Sequence, residues 1–164
     1  MKKIVFVVFM LVSSFGLSQD MNNKKLGEIL ERVSDTLSGE NGRWQFMMKD
    51  AVLMCLTDEN HNRMRIISPI ADAEKLDEET LKNALVANFH TALDVKYAIS
   101  DEIIWSVFIH PLKELTEDQV LDAISQVFYA KKTFGFTYSS TELIFPGNTR
   151  KKEKPEEPVK KKKI

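Results

Sequence analysis

Three histidines, one cysteine, a spread of carboxylates and two arginines set close together are the side chains of this 164-residue chain from which chemistry could be built. His61, His90 and His110 never stand three or four residues apart, the spacing that would turn two imidazoles toward one metal ion, and they read as solvated loop or helix-end residues. Cys55 lies in the middle of an apolar run, where a thiol is a small buried hydrophobe; a nucleophile needs an electropositive, partly open setting. Being alone, it makes neither an internal disulfide nor a two-cysteine metal site. Asp77, Glu78, Glu79, Glu117 and Asp118 fall at expected helix starts, where the helix dipole accounts for them without catalysis. Asp58, Glu59, Asn60 and Asn62 form a polar tip that lacks the glycine and terminal glutamate of a calcium loop, so turn chemistry is the better account. Gly135 is isolated and cradles no phosphate. Sequence reasoning therefore assigns no catalytic, cofactor-binding or metal residue, and expects neither enzyme activity nor a nucleic-acid partner.

Contact chemistry is better represented. Arg63 and Arg65 are two residues apart on a strand-like run and so share a face, where they could hold carboxylate or phosphate, or guard a sheet edge against aggregation. Trp44, Phe46, Trp105 and Phe108 are of the kind that fill cores and anchor interfaces. Trp105 and Val107 have the parity opposite to Ile104 and Phe108, so if the latter pair is core the former looks outward. Trp105, Val107, Arg63 and Arg65 are the candidate interface residues.

The elements that must position them follow from periodicity. Leu26, Ile29, Leu30, Val33 and Leu37 recur at helical spacing, and Ser38, Gly39, Asn41 and Gly42 are expected to close that helix. Three strands are expected at 43–49, 51–57 and 63–68, with Asp58 to Asn62 as a hairpin loop and Pro69 as the stop. Both parities of the second run are apolar, which predicts a central strand or one buried on both faces. Asp77 caps a second helix that carries Leu81, Ala84, Leu85, Phe89 and Leu93. Two further strands, 96–99 and 103–109, precede a third helix opening at Thr116, and 133–145 is expected to end that helix and extend along the sheet. Hairpins with helices in separate blocks define an α+β fold: an antiparallel sheet of about five strands, in the order helix, three strands, helix, two or more strands, helix, with helices packed mainly on one side.

The span from about Leu26 to Phe145 resembles the type III secretion chaperone-like superfamily, and within it the bacterial group described as sensory transduction regulators. The segments that carry the resemblance are NRMRIISPI at 62–70, LKNALVANFHTALDVKYAI at 81–99, PLKELTEDQVLDAI at 111–124 and TFGFTYSS at 133–140. They are strand, helix and turn patterns with no catalytic signature. The resemblance implies a small α+β protein, commonly dimeric, that binds other proteins. Asn88 matches an asparagine often seen in the group, for which capping or strand pairing is the structural account and ligand contact the functional one.

Both ends of the chain carry further expectations. Lys2 and Lys3, the apolar run Ile4 to Val12 and the small residues Ser13, Ser14, Gly16 and Ser18 have the order of a cleaved signal peptide over 1–18, which predicts a periplasmic or secreted protein. Such a leader departs from the pattern of cytosolic secretion chaperones, so only the scaffold is carried over. Residues 19–149 form the expected domain and are acidic, with 13 Lys and Arg against 21 Asp and Glu. Residues 150–164 carry eight basic side chains against three acidic, with Pro155 and Pro158, and are expected to be a disordered Lys-rich tail. The tail could contact an anionic surface such as lipid or polysaccharide, or lie loosely on its own acidic domain. The leading expectation is an exported, non-enzymatic protein-binding or chaperone-like accessory module, a homodimer with a protein partner. An envelope-surface adaptor working through the tail, and more remotely a small-molecule enzyme, are the alternatives.

Overall fold

Helix boundaries in the computed structural model, which describes residues 20–142, follow the capping chemistry of the sequence. The expected leader at 1–18 and Lys-rich tail at 150–164 lie outside the described residues. Helix α1 (Asn23–Val33) begins where the Asn22 side chain accepts from the Lys25 amide at 3.0 Å, and it buries Leu26, Ile29 and Leu30. Helix α2 (Glu78–His90) is capped by Asp77, which accepts from Thr80 N–H at 2.7 Å. Helix α3 (Glu117–Thr133) opens with a full capping box, in which the Thr116 hydroxyl accepts from Gln119 N–H and the Gln119 side chain accepts from Thr116 N–H.

The strands are β1 (Thr36–Glu40), β2 (Arg43–Met48), β3 (Ala51–Asp58), β4 (Arg63–Asp72), β5 (Lys96–Ser100) and β6 (Ile103–His110). They form one antiparallel sheet in the order β1-β2-β3-β4-β6-β5. The expected fold class holds, with one strand more than expected. That strand is β1: α1 stops at Ser34, and Leu37 belongs to the sheet. The Asn41-Gly42 pair read as a helix stop is instead the two-residue loop of the β1–β2 hairpin. Both residues have positive φ, at 51° and 88°, as the turn that matches strand twist requires.

Two further expectations are corrected. Pro69 does not end β4, which runs on to Asp72 through an irregularity between Pro69 and Ala71. Pairing of β3 with β4 stops at Met54 and Ile67, so at Pro69 only β6 is paired with the strand and a missing amide donor is tolerated. The segment 134–142 does not extend the sheet either; it turns back on the end of α3, with the Thr133 carbonyl accepting from Phe136, Thr137 and Tyr138.

The core lies on one side of the sheet. Trp44, Phe46, Leu53, Cys55, Met64, Ile66, Ile104 and Phe108 are buried there beneath α1 and α3, with Val120, Ile124 and Val127 from α3 opposite them. Ser106, buried in β6, donates its hydroxyl to the Val127 carbonyl at 3.0 Å and ties the sheet to α3. The central placement of β3 holds, but only its Ala51, Leu53, Cys55 parity is fully buried; Val52, Met54 and Leu56 are half-buried on the other face.

Candidate functional site

Register assembles the open face of the sheet residue by residue. Arg43, Leu56, Arg65 and Ile109 lie in one row across β2, β3, β4 and β6. The next row is Gln45, Met54, Ile67, Val107 and Lys96, the last from β5. Farther along, Trp105 stands between Pro69 and Ala98. Val52, Met54, Leu56, Ile67, Trp105 and Val107 are half-buried, and Ile109 is 59% exposed. An apolar band therefore crosses the uncovered face, ending at Arg43, Arg63 and Arg65, all exposed. A concavity of about 630 Å³ lies at that end, lined among others by Arg43, Leu56, Arg63, Arg65 and Ile109.

The four sequence-chosen residues fall on this one face. Trp105 and Val107 look away from the core that buries Ile104 and Phe108, and the Trp105 indole N–H donates to the Ser100 carbonyl at 3.1 Å. Arg63 and Arg65 share the face but do not guard an edge, because β4 is flanked by β3 and β6.

Sequence reasoning missed a second surface. By spacing, Leu85, Phe89 and Leu93 read only as apolar residues at helical intervals, yet they face outward, with Leu85 69% and Phe89 88% exposed. Helix α2 buries Ala84 and Ala87 instead. These small residues bring the helix close enough to β5 for Asn88 to work as a strand partner, donating Nδ2–H to the Tyr97 carbonyl at 3.1 Å and accepting from Tyr97 N–H at 2.7 Å. That pairing gives Asn88 a structural role. Val86, Leu93, Ile99 and Phe136 are exposed as well, so large apolar side chains gather on α2, β5 and the turn after α3. The signal in the sequence was the Ala84/Ala87 spacing, which marks a close-packed helix face.

The residues weighed for chemistry are dispersed. His61 and Asp58 bond each other at the β3–β4 loop, and the His61 contact holds the Asp58 carboxyl below its usual range. Asn62 accepts from Lys113 N–H and donates to Glu114, while Glu59 accepts from Asn23 N–H, so the polar tip is spent on turn and loop contacts. His110 stacks on Phe108. Burial pushes the Cys55 thiol up to about 12, which keeps it protonated and unreactive. Among the described residues no group of three histidine, cysteine or acidic side chains could hold a metal ion.

Comparison with known proteins places the fold. No protein-family model matches the chain. No curated protein matches it either. Solved structures do: the ExsC–ExsE complex, with a TM-score of 0.53 at 11% identity over 68% of this chain and 95% of that one. The HopA1–SchA chaperone–effector complex matches with a TM-score of 0.52 at 11% identity, over 68% of this chain and 88% of that one. The Yersinia pestis type III secretion chaperone SycH, in complex with a stable fragment of YscM2, matches with a TM-score of 0.52 at 12% identity, over 68% of this chain and 98% of that one. The chain thus has the type III secretion chaperone-like fold, as the resemblance implied. The same finding corrects the expectation of an exported, periplasmic or secreted protein: the fold is shared with a type III secretion chaperone and a chaperone–effector complex.

Proposed function

We propose that this chain is a non-enzymatic, chaperone-like protein-binding module that works as a homodimer. The observation that carries the reading is the open sheet face, where half-buried Met54, Ile67, Trp105 and Val107 form an apolar band that no helix of the described residues covers. Bands of this kind on soluble proteins mark interaction sites. The fold neighbours support it, since each was solved with a protein bound. Trp105 and Val107 are the partner-contact anchors, and Arg63 and Arg65 border them. The second copy is assigned to the α2 side. Leu85, Val86, Phe89, Leu93, Ile99 and Phe136 are exposed large apolar side chains there, the kind that stable complexes cover. A self-complementary surface closes by a two-fold axis.

Separate substitutions test the two surfaces. Phe89→Glu should turn a dimer into a monomer in sedimentation while the circular dichroism spectrum is kept. Val107→Asp should keep the dimer and lose protein partners captured from lysate of the native host. A monomeric wild type at high concentration would refute the dimer, and an unchanged partner set for Val107→Asp would refute the sheet face as the binding surface.

A further inference from the structure

Three of the four arginines among the described residues, Arg43, Arg63 and Arg65, stand on the open sheet face of a domain that is otherwise strongly acidic. Arg43 and Arg65 flank Leu56 in one register row, so two strand spacings, ~10 Å, separate their backbones. Among the described residues neither guanidinium has a hydrogen-bond or ion-pair partner. The nearby Asp58 carboxylate is taken by His61, whose backbone N–H and ring nitrogen both contact it. Charges placed to prevent edge pairing belong on edge strands, here β1 and β5; these sit on β2 and β4, beside an apolar row and around the 630 Å³ concavity.

We propose that the open face selects an acidic, apolar segment of a partner protein, bound extended, with its apolar side chains on Met54, Ile67 and Val107 and its carboxylates on Arg43 and Arg65. The inference rests on the reading of this face as the protein-binding surface and adds the chemistry of what binds. Guanidinium forks hold carboxylates with two parallel hydrogen bonds, and a free pair of forks at a fixed separation discriminates by charge as well as shape. Charge complementarity also excludes this chain's own residues 150–164 as the occupant, because their eight basic side chains would meet arginines.

Fluorescence anisotropy with the full chain tests this, using three short labelled peptides that alternate valine and phenylalanine with glutamate, serine or lysine. The glutamate peptide should bind at least roughly tenfold more tightly than the serine peptide at low salt, and the advantage should shrink as salt is added. Arg43→Gln with Arg65→Gln should abolish the advantage while serine-peptide binding stays, with circular dichroism confirming the fold. Equal binding of glutamate and serine peptides, both lost in Val107→Asp, would overturn the acidic preference and leave the protein-binding reading intact. Binding of neither peptide, or binding untouched by Val107→Asp, would overturn both. Arginine-dependent binding of vesicles of anionic lipid, with no peptide preference, would also overturn the proposal in favour of a lipid surface.

Discussion

Replacing Asn88 with alanine should loosen a side-chain connection that holds the outer side of the β5 backbone to α2. Both hydrogen bonds of the Asn88 amide go to Tyr97, at 3.1 and 2.7 Å, and they are partly buried. Each is worth about 1 kcal/mol net, and the Tyr97 N–H and carbonyl left behind are partly shielded from water, so the expected loss is about 2–3 kcal/mol. Since the total stability of a domain is about 5–15 kcal/mol, such a loss is easily read. Urea unfolding is the assay: the midpoint should fall by roughly 1 M with the slope unchanged, as expected for a native-state effect. Asn88→Asp provides a second reading. The carboxylate keeps the bond from Tyr97 N–H but faces the Tyr97 carbonyl, which raises its folded pKa; relative to wild type it should be destabilised at neutral pH and recover as pH falls and the acid can donate. A loss below ~0.5 kcal/mol for Asn88→Ala, within the range of ordinary surface changes, would refute the reasoning.

Three other outcomes follow from the structure. Cys55, buried with its thiol pushed up to about 12, should react with a disulfide reagent only as fast as the chain unfolds, whereas rapid labelling of the native protein would contradict its burial. Because the unfolded thiol ionises near 8.5, this group's contribution is present below that pH and is lost as pH rises toward 12, so Cys55→Ala should flatten the decline of stability in that window. Trp105→Ala removes a half-buried side chain from the open face and should lower stability by about 1–2 kcal/mol, less than the ~3–5 kcal/mol of a buried aromatic such as Phe46. A loss as large as that of Phe46→Ala in parallel melts would place Trp105 in the core.

Local chemistry made much of this fold legible. Asp77 and Thr116 announce their helices through side chains that satisfy specific amides, and the alternation of Ile104 and Phe108 against Trp105 and Val107 assigns both faces of β6. What escaped depends on neighbours distant in sequence. Leu37 continues the apolar spacing of α1, so β1 was absorbed into that helix; only the hairpin pairing with β2 separates them. Pro69 is tolerated inside β4 because the pairing of β3 with β4 has already stopped at Met54 and Ile67, which no residue near Pro69 reveals. The outward stripe on α2 escaped because Leu85 and Phe89 have the spacing of a core face. Which face is core is decided by the close approach of Ala84 and Ala87 to the sheet. The candidate site was legible in Trp105, Val107, Arg63 and Arg65. Met54, Ile67 and Arg43 join it only once the register of six strands is known.

Site-specific photocrosslinking in the native host tests the central claim most directly. A photoreactive side chain at position 107, on the open sheet face, should give discrete adducts with other proteins, identifiable by mass spectrometry and diminished by Trp105→Ala in the same chain. The same group at position 28, on the exposed side of α1, should give none of those adducts. Adducts from both positions alike, or none from position 107 while the chain is folded, would contradict the account of this face as a protein-binding surface.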